Sequence, residues 1–176
     1  MKNDIQTPPR TAMEVFKILP EGTLCEVING QLFMSPSPFT KHQMIVTDLS
    51  TEINYYCKKL KIARVFVAPF DVYLDEDRNA VEPDIIVVLK ENESIIKDHI
   101  HGVPDILIEV LSEGNKNHDL VRKKELYEKF GVKEYFIIDP DTRLVKSFKL
   151  QSGKYISEAE QTAKLTSTLL SNSFEF

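Results

Sequence analysis

The sequence predicts an α/β fold of the mixed α+β kind, a mixed β-sheet flanked by helices, with a β-hairpin near the N-terminus. Three observations carry that expectation. Two strand-like runs meet at Asn29-Gly30, the strongest short hairpin signal. Three runs rich in Ile, Val and Leu, 83–89, 104–111 and 134–140, are short enough for buried strands. Two longer segments, about 41–60 and 119–131, carry apolar stripes at helical spacing.

The elements follow in order. "TAME" (11–14) is a capping box that opens a short helix ended by Pro20. "TLCEVINGQLFMS" (23–35) is the hairpin. After the loop "SPSPFT", a long helix presents Ile45, Leu49, Ile53, Tyr56 and Leu60 on one stripe. "RVFVAPFDVYL" (64–74) reads as one strand in which Pro69 marks a bulge or an edge. "PDIIVVL" and "PDILIEVL" follow as buried strands, with a helical turn or loop between them. The helix over 119–131 ends at Gly131, suited to a left-handed C-cap, and leads into "EYFIIDP", so it is a candidate crossover to a parallel strand. "LVKSFKLQSGKYIS" closes the pattern as a hairpin around Ser152-Gly153.

With 176 residues and 42% hydrophobic content, a single domain over 1–176 is expected. The longest apolar runs are about five residues, against the ~20 that a bilayer-spanning helix needs. The N-terminus lacks the apolar stretch of a signal peptide, and Cys25 and Cys57 lack metal-ligand spacing. A cytoplasmic protein with reduced, packed cysteines and no membrane partner is therefore expected. The net charge of −5 excludes nucleic-acid binding by bulk electrostatics. One local basic set stands out, Lys116, His118, Arg122, Lys123, Lys124, Lys129 and Lys133, which reads mostly as a solvated helix face.

Charge inside the apolar segments is the chemical signal. Asp84 opens one buried strand, Asp105 opens the next, and Glu109 lies within it. A carboxylate in such a run is costly unless a cation or hydrogen bonds compensate it. Strand alternation puts Asp105, Leu107 and Glu109 on one face and Ile106, Ile108 and Val110 on the other. Asp105 and Glu109 lie ~13 Å apart along a strand, too far to share an ion, whereas neighbouring strands ~4.8 Å apart would let Asp84 and Glu109 converge. Two such carboxylates with a backbone carbonyl make a hard-oxygen site for Mg²⁺ or Mn²⁺. In the helix, Leu120, Leu126, Tyr127 and Phe130 form a stripe with Lys123 at its middle, aimed at the acids. Either this ammonium supports an anionic transition state, or it completes a structural ion pair.

These residues resemble a family. "VEPDIIVV", "GVPDILIEVLS" and "DLVRKKELYEKFGVKEYFIIDP", with "CEVINGQLFMSPSPFTKHQ" before them, are similar in order and content to the Uma-type restriction endonucleases of the PD-(D/E)XK nuclease superfamily. The resemblance implies a restriction-endonuclease-like core and Mg²⁺-dependent hydrolysis of phosphodiester bonds in DNA. It implies Asp84 as the motif aspartate, Glu109 as the second acid and the Val110 carbonyl as a further metal ligand. The superfamily's usual lysine would fall at position 111, here Leu, and Lys123 matches the lysine that this subgroup supplies from the following helix. Glu26 resembles an N-terminal acid aimed at the metal or its water, and reads equally as a residue beside a hairpin. His42 and Lys124 are candidate substrate-binding residues; His42 reads also as a satisfied helix-end histidine. Asp119, Tyr127 and Asp139 match family positions, the last two being explicable as a core aromatic and a turn residue. "SEGN" (112–115) departs from the family's Ser-Pro-Ser/Thr, which concerns the substrate-facing loop. A homodimer is the analogy for a nuclease that cuts two strands. Two other readings stay open: a catalytically inactive nucleic-acid-binding or regulatory module on the same fold, and a structural or protein-interaction domain.

Overall fold

The computed structural model describes residues 8–20, 22–112 and 118–176. A short helix α1 (Ala12–Phe16) starts at a capping box in which Thr11 and Glu14 bond each other's backbone amides. It leads to the hairpin β1 (Cys25–Ile28) and β2 (Gln31–Met34), whose turn has Asn29 and Gly30 both at positive φ, as a two-residue hairpin requires. The long helix α2 (Thr40–Leu60) buries Ile45, Leu49 and Ile53, and turns Cys57 inward where the apolar stripe placed Leu60, which is 49% exposed. Chain direction then reverses into β3 (Ala63–Val67), β4 (Val72–Asp75), β5 (Asn79–Val81) and β6 (Ile85–Leu89). A 3₁₀ helix (Lys90–Ile95) and the short β7 (Ile100–His101) precede β8 (Ile106–Val110).

The segment read as one helix over 119–131 has two parts. A π-helix, His118–Lys123, passes into α2's successor, α3 (Lys124–Phe130), which Gly131 caps at φ 88°. Then come β9 (Glu134–Ile138), β10 (Leu144–Gln151) and β11 (Lys154–Ser157), followed by β12 (Gln161–Thr162), β13 (Lys164–Ser167) and β14 (Asn172–Glu175). The predicted hairpin at Ser152-Gly153 joins β10 to β11.

Two larger sheets result. One has the order β2-β1-β5-β4-β7; the other runs β11-β10-β9-β8-β6-β3, with β12 on β10; β13 and β14 pair with each other. The second sheet is mixed: β6 and β8 are antiparallel, whereas β8 and β9 are parallel, joined by the helical crossover. The stretch 64–74 is not one strand. Pro69 lies between β3 and β4, which belong to different sheets, because the unbroken apolar pattern is satisfied by two separate cores.

Alternation along β8 sends Ile106, Ile108 and Val110 to the core under α2, with Leu49 and Ile53, and Leu107 to the core shared with Leu126 and Tyr127. Truncating a wholly buried residue such as Leu49 to Ala is expected to cost ~2–5 kcal/mol. Both cysteines are free and buried. Among the described residues no helix is long and apolar enough to cross a membrane.

Candidate active site

Asp84 immediately precedes β6, and Glu109 lies in β8, the antiparallel neighbour; Ile85 pairs with Ile108, so the two acids follow at adjoining register positions. Backbone geometry ties them together: the Val110 amide donates to Oδ2 of Asp84 at 2.7 Å. His42, in the first turn of α2, meets the same Oδ2 through Nε2 at 3.1 Å. Both contacts fall on one oxygen, so Oδ1 of Asp84 is engaged by neither.

Lys123 reaches Glu109 from the crossover. Its Nζ lies 2.8 Å from Oε1 of Glu109 and 2.9 Å from Oε1 of Glu26, and its side chain is 5% exposed. The ammonium is thus a bridge between the two sheets, since Glu26 belongs to β1 and Glu109 to β8. Such a group, removed from water, is stable only with closely placed opposite charge. The Glu82 amide fixes Glu26 by donating to its Oε1 at 2.8 Å. Tyr127, one α-turn beyond Lys123, donates its hydroxyl to Oε1 of Glu109 at 2.9 Å. Burial, and then the charge of Glu109, push its phenol well above the usual range, so it remains a donor.

A cavity of about 130 Å³ opens onto this constellation, lined among others by Glu26, His42, Glu82, Asp84, Glu109 and Lys123. Acid is in excess around it. Burial first, then the charges of Asp71 and Glu26 and a hydrogen bond with Asp71, push the Glu82 carboxyl up to about 8; Lys123 opposes the shift. The same concentration of negative charge, second to burial, pushes the Cys25 thiol up to about 11.

Of the residues singled out by sequence, Glu26, His42, Asp84, Glu109 and Lys123 line one cavity. The Val110 backbone also borders it, contributing its amide to Asp84. Lys124 is not brought there: it follows Lys123 by one residue and turns the other way, its Nζ 5.0 Å from the Phe148 ring centre. The basic set does not form one face. Arg122 stacks over Phe33, Lys129 over Phe130, Lys133 pairs with Asp105, and Lys123 is buried. Lys116, the "EGN" part of the departing loop and the side chains of His118 and Asp119 lie outside the described residues. Asp139 acts as a turn residue, accepting from the amides of Asp141 and Thr142.

Sequence reasoning missed Glu82 and Asp71 and treated Tyr127 as packing. Glu82 had a signal, being two residues before Asp84 at strand spacing, and Tyr127 lies four residues after Lys123 on the same stripe. Asp71 had none, since its position depends on the chain changing sheets at Pro69.

A family model described as "Uma2: Putative restriction endonuclease" matches residues 13–175. The chain belongs to the Uma2 family. All the residues of the cavity named above fall inside the Uma2 match. Among solved structures, the chain is similar to one from Anabaena variabilis described as a putative nuclease belonging to DUF820. The TM-score is 0.75 and the identity 23%, over 93% of this chain and 92% of that one. At that identity the likeness carries the fold, a mixed sheet flanked by helices. Comparison with curated proteins gives no match.

Proposed function

We propose that this protein is a metal-dependent endonuclease that hydrolyses phosphodiester bonds in DNA. The observation that carries the reading is the Lys123 ammonium, buried between two carboxylates at the wall of a cavity that also holds Asp84. Membership of the Uma2 family supports the nuclease class. In PD-(D/E)XK terms Asp84 and Glu109 are the two acids, and Lys123 substitutes from the helix for the lysine that position 111 lacks, where Leu111 is buried.

The donor set fits a hard divalent cation. No three His, Cys, Asp or Glu side chains among the described residues are grouped to cage an ion. Mg²⁺, however, is ordinarily held by one or two carboxylates, waters and substrate phosphate oxygens rather than by an all-protein cage. Asp84, Glu109 and the Val110 carbonyl would hold Mg²⁺, or Mn²⁺ in its place. Bound there, the ion would supply Lewis-acid polarisation of the scissile phosphate and lower the pKa of a water.

The chain's own groups do the positioning. His42 and the Val110 amide aim Asp84, and Tyr127 aims Glu109. Glu26 holds Lys123 in place, and Lys123 orients the attacking water and offsets charge developing on the phosphoryl oxygens. A homodimer would bring two such sites to the two strands of a duplex.

The test is cleavage of DNA in Mg²⁺ by Lys123→Met and Asp84→Ala proteins. Both are expected to lose ~10²–10⁴-fold in rate. Undiminished cleavage by both would refute the reading, and binding without turnover by the wild type would indicate the non-catalytic module instead.

A further inference from the structure

The cavity at Lys123, at about 130 Å³, is far below the ~300–1,000 Å³ of sites that enclose a small ligand. It admits a reacting phosphate group, not the nucleotide attached to it. A second cavity of about 590 Å³ lies directly beside it, and Pro69 and Glu82 line both. Phe16, Phe70, Tyr73 and His99 supply aromatic walls to this larger space. Phe70 lies 5.8 Å from His99 and tilted by 36°, and Tyr73 is edge-on to Phe16 at 6.0 Å. Its polar groups include Lys17, Asp71, Glu82, Asp98 and the imidazole of His99. His99 Nδ1 is shielded from solvent without a hydrogen-bond partner, 3.8 Å from Oδ2 of Asp71.

This lining selects its occupant. A purely apolar ligand would leave the shielded His99 Nδ1 without a partner, which is costly. An anion would meet Asp71, Glu82 and Asp98, with Lys17 already paired to Glu76. A neutral planar heterocycle with hydrogen-bonding edges suits both the aromatic walls and the His99 Nδ1 atom, with Phe70 backed by stacking on Phe66. The two cavities therefore sort charge: the anionic phosphate belongs beside Lys123, and an uncharged base beside the aromatics.

Resting on the nuclease reading, we propose that the second cavity receives one unstacked nucleobase next to the scissile phosphate, so that the substrate is single-stranded or locally opened nucleic acid. Stacking of bases on aromatic side chains gives affinity without a basic surface, which accounts for substrate binding by a chain of net charge −5. A base held in a duplex must first leave its stack, so continuous duplex is the poorer substrate.

The experiment uses the full chain as wild type, Phe70→Ala and His99→Ala. Binding of deoxynucleoside 5′-monophosphates and of 2-deoxyribose 5-phosphate is measured by calorimetry, and cleavage of single-stranded and duplex oligonucleotides is compared. The nucleotides are expected to bind the wild type roughly tenfold more tightly than the sugar phosphate, and each substitution to remove roughly that factor. Sugar-phosphate binding should stay near wild type, which also reports that the substituted proteins are folded, and the wild type should cut the single strand faster than the duplex. Equal binding of nucleotide and sugar phosphate, or nucleotide binding that survives both substitutions, overturns the base subsite; if such a protein still cleaves DNA, the nuclease reading stands without it. Base-dependent binding by a wild type that cleaves nothing supports the subsite and refutes the nuclease reading.

Discussion

Asp105 and Glu109 stand at opposite ends of one strand, are 1% and 3% exposed, and are each paired with a lysine. Their surroundings differ in kind. Asp105 accepts from the Leu89 amide at 2.8 Å and from the Asn92 side chain at 3.2 Å, and its lysine, Lys133, is half exposed. Those bonds tie the end of β6 to β8. Glu109 accepts from a buried ammonium and a buried phenol, and that ammonium also serves Glu26, at the edge of a cavity. On the proposed reading, the first acid serves the fold and the second, with its shared, buried cation at a cavity wall, serves the chemistry.

The largest expected contrast is in activity. Glu109→Gln keeps the side chain's size, loses the charge, and is expected to lower DNA cleavage ~10²–10³-fold. Asp105→Asn, measured alongside, should leave the cleavage rate of the folded protein near wild type. Stability sharpens the contrast in the opposite direction: Asp105→Ala is expected to cost ~2–3 kcal/mol by urea denaturation. Most of that is the stranded Leu89 amide, because Lys133 is screened by solvent. A fall in cleavage for Asp105→Asn equal to that of Glu109→Gln would erase the distinction. Next in size, Tyr127→Phe removes one hydrogen bond to Glu109 without changing packing, and is expected to cost ~1 kcal/mol of stability. It should also lower cleavage, since Glu109 loses a restraint.

The smallest effect is a pH slope. The folded-state pKa of Glu82, about 8, lies above its ordinary 4.5. The stability tied to this group is therefore fully present below pH 4.5 and is lost as pH rises through 8, as the buried carboxyl is forced to ionise. Melting curves of the Glu82→Gln protein should show a flatter decline over that interval than the wild type. An identical slope would mean that Glu82 is better solvated than its place between Asp71 and Glu26 requires.

What the sequence disclosed follows from where its signals are local. Asn29-Gly30, Gly131 and Ser152-Gly153 mark turns through backbone conformations that few other residues adopt, and each turn is where the pattern puts it. Lys123 was legible because a charge interrupted an apolar stripe. The stripe assumed an α-helix, whereas residues 118–123 form a π-helix with its i→i+5 bonds, which shifts the faces of that turn while the lysine still faces the acids. Lys124 was not legible as a ring-stacking residue, because Phe148 comes from a distant strand. The change of sheet at Pro69 escaped for the same reason: two apolar strands in series look alike whether they share a sheet or not. The last three strands, β12 to β14, are short and rich in Thr, Ser and Lys, so their alternation is weak, yet they bury Leu165 and Phe174 against the α2 core.

The most direct measurement is an anomalous-scattering map from crystals of the full chain soaked in Mn²⁺. The account predicts one strong peak in the small cavity, touching carboxylate oxygens of Asp84 and Glu109, and its loss in Asp84→Ala crystals. A map without a peak at those residues, or with manganese bound at Asp105 instead, would contradict it.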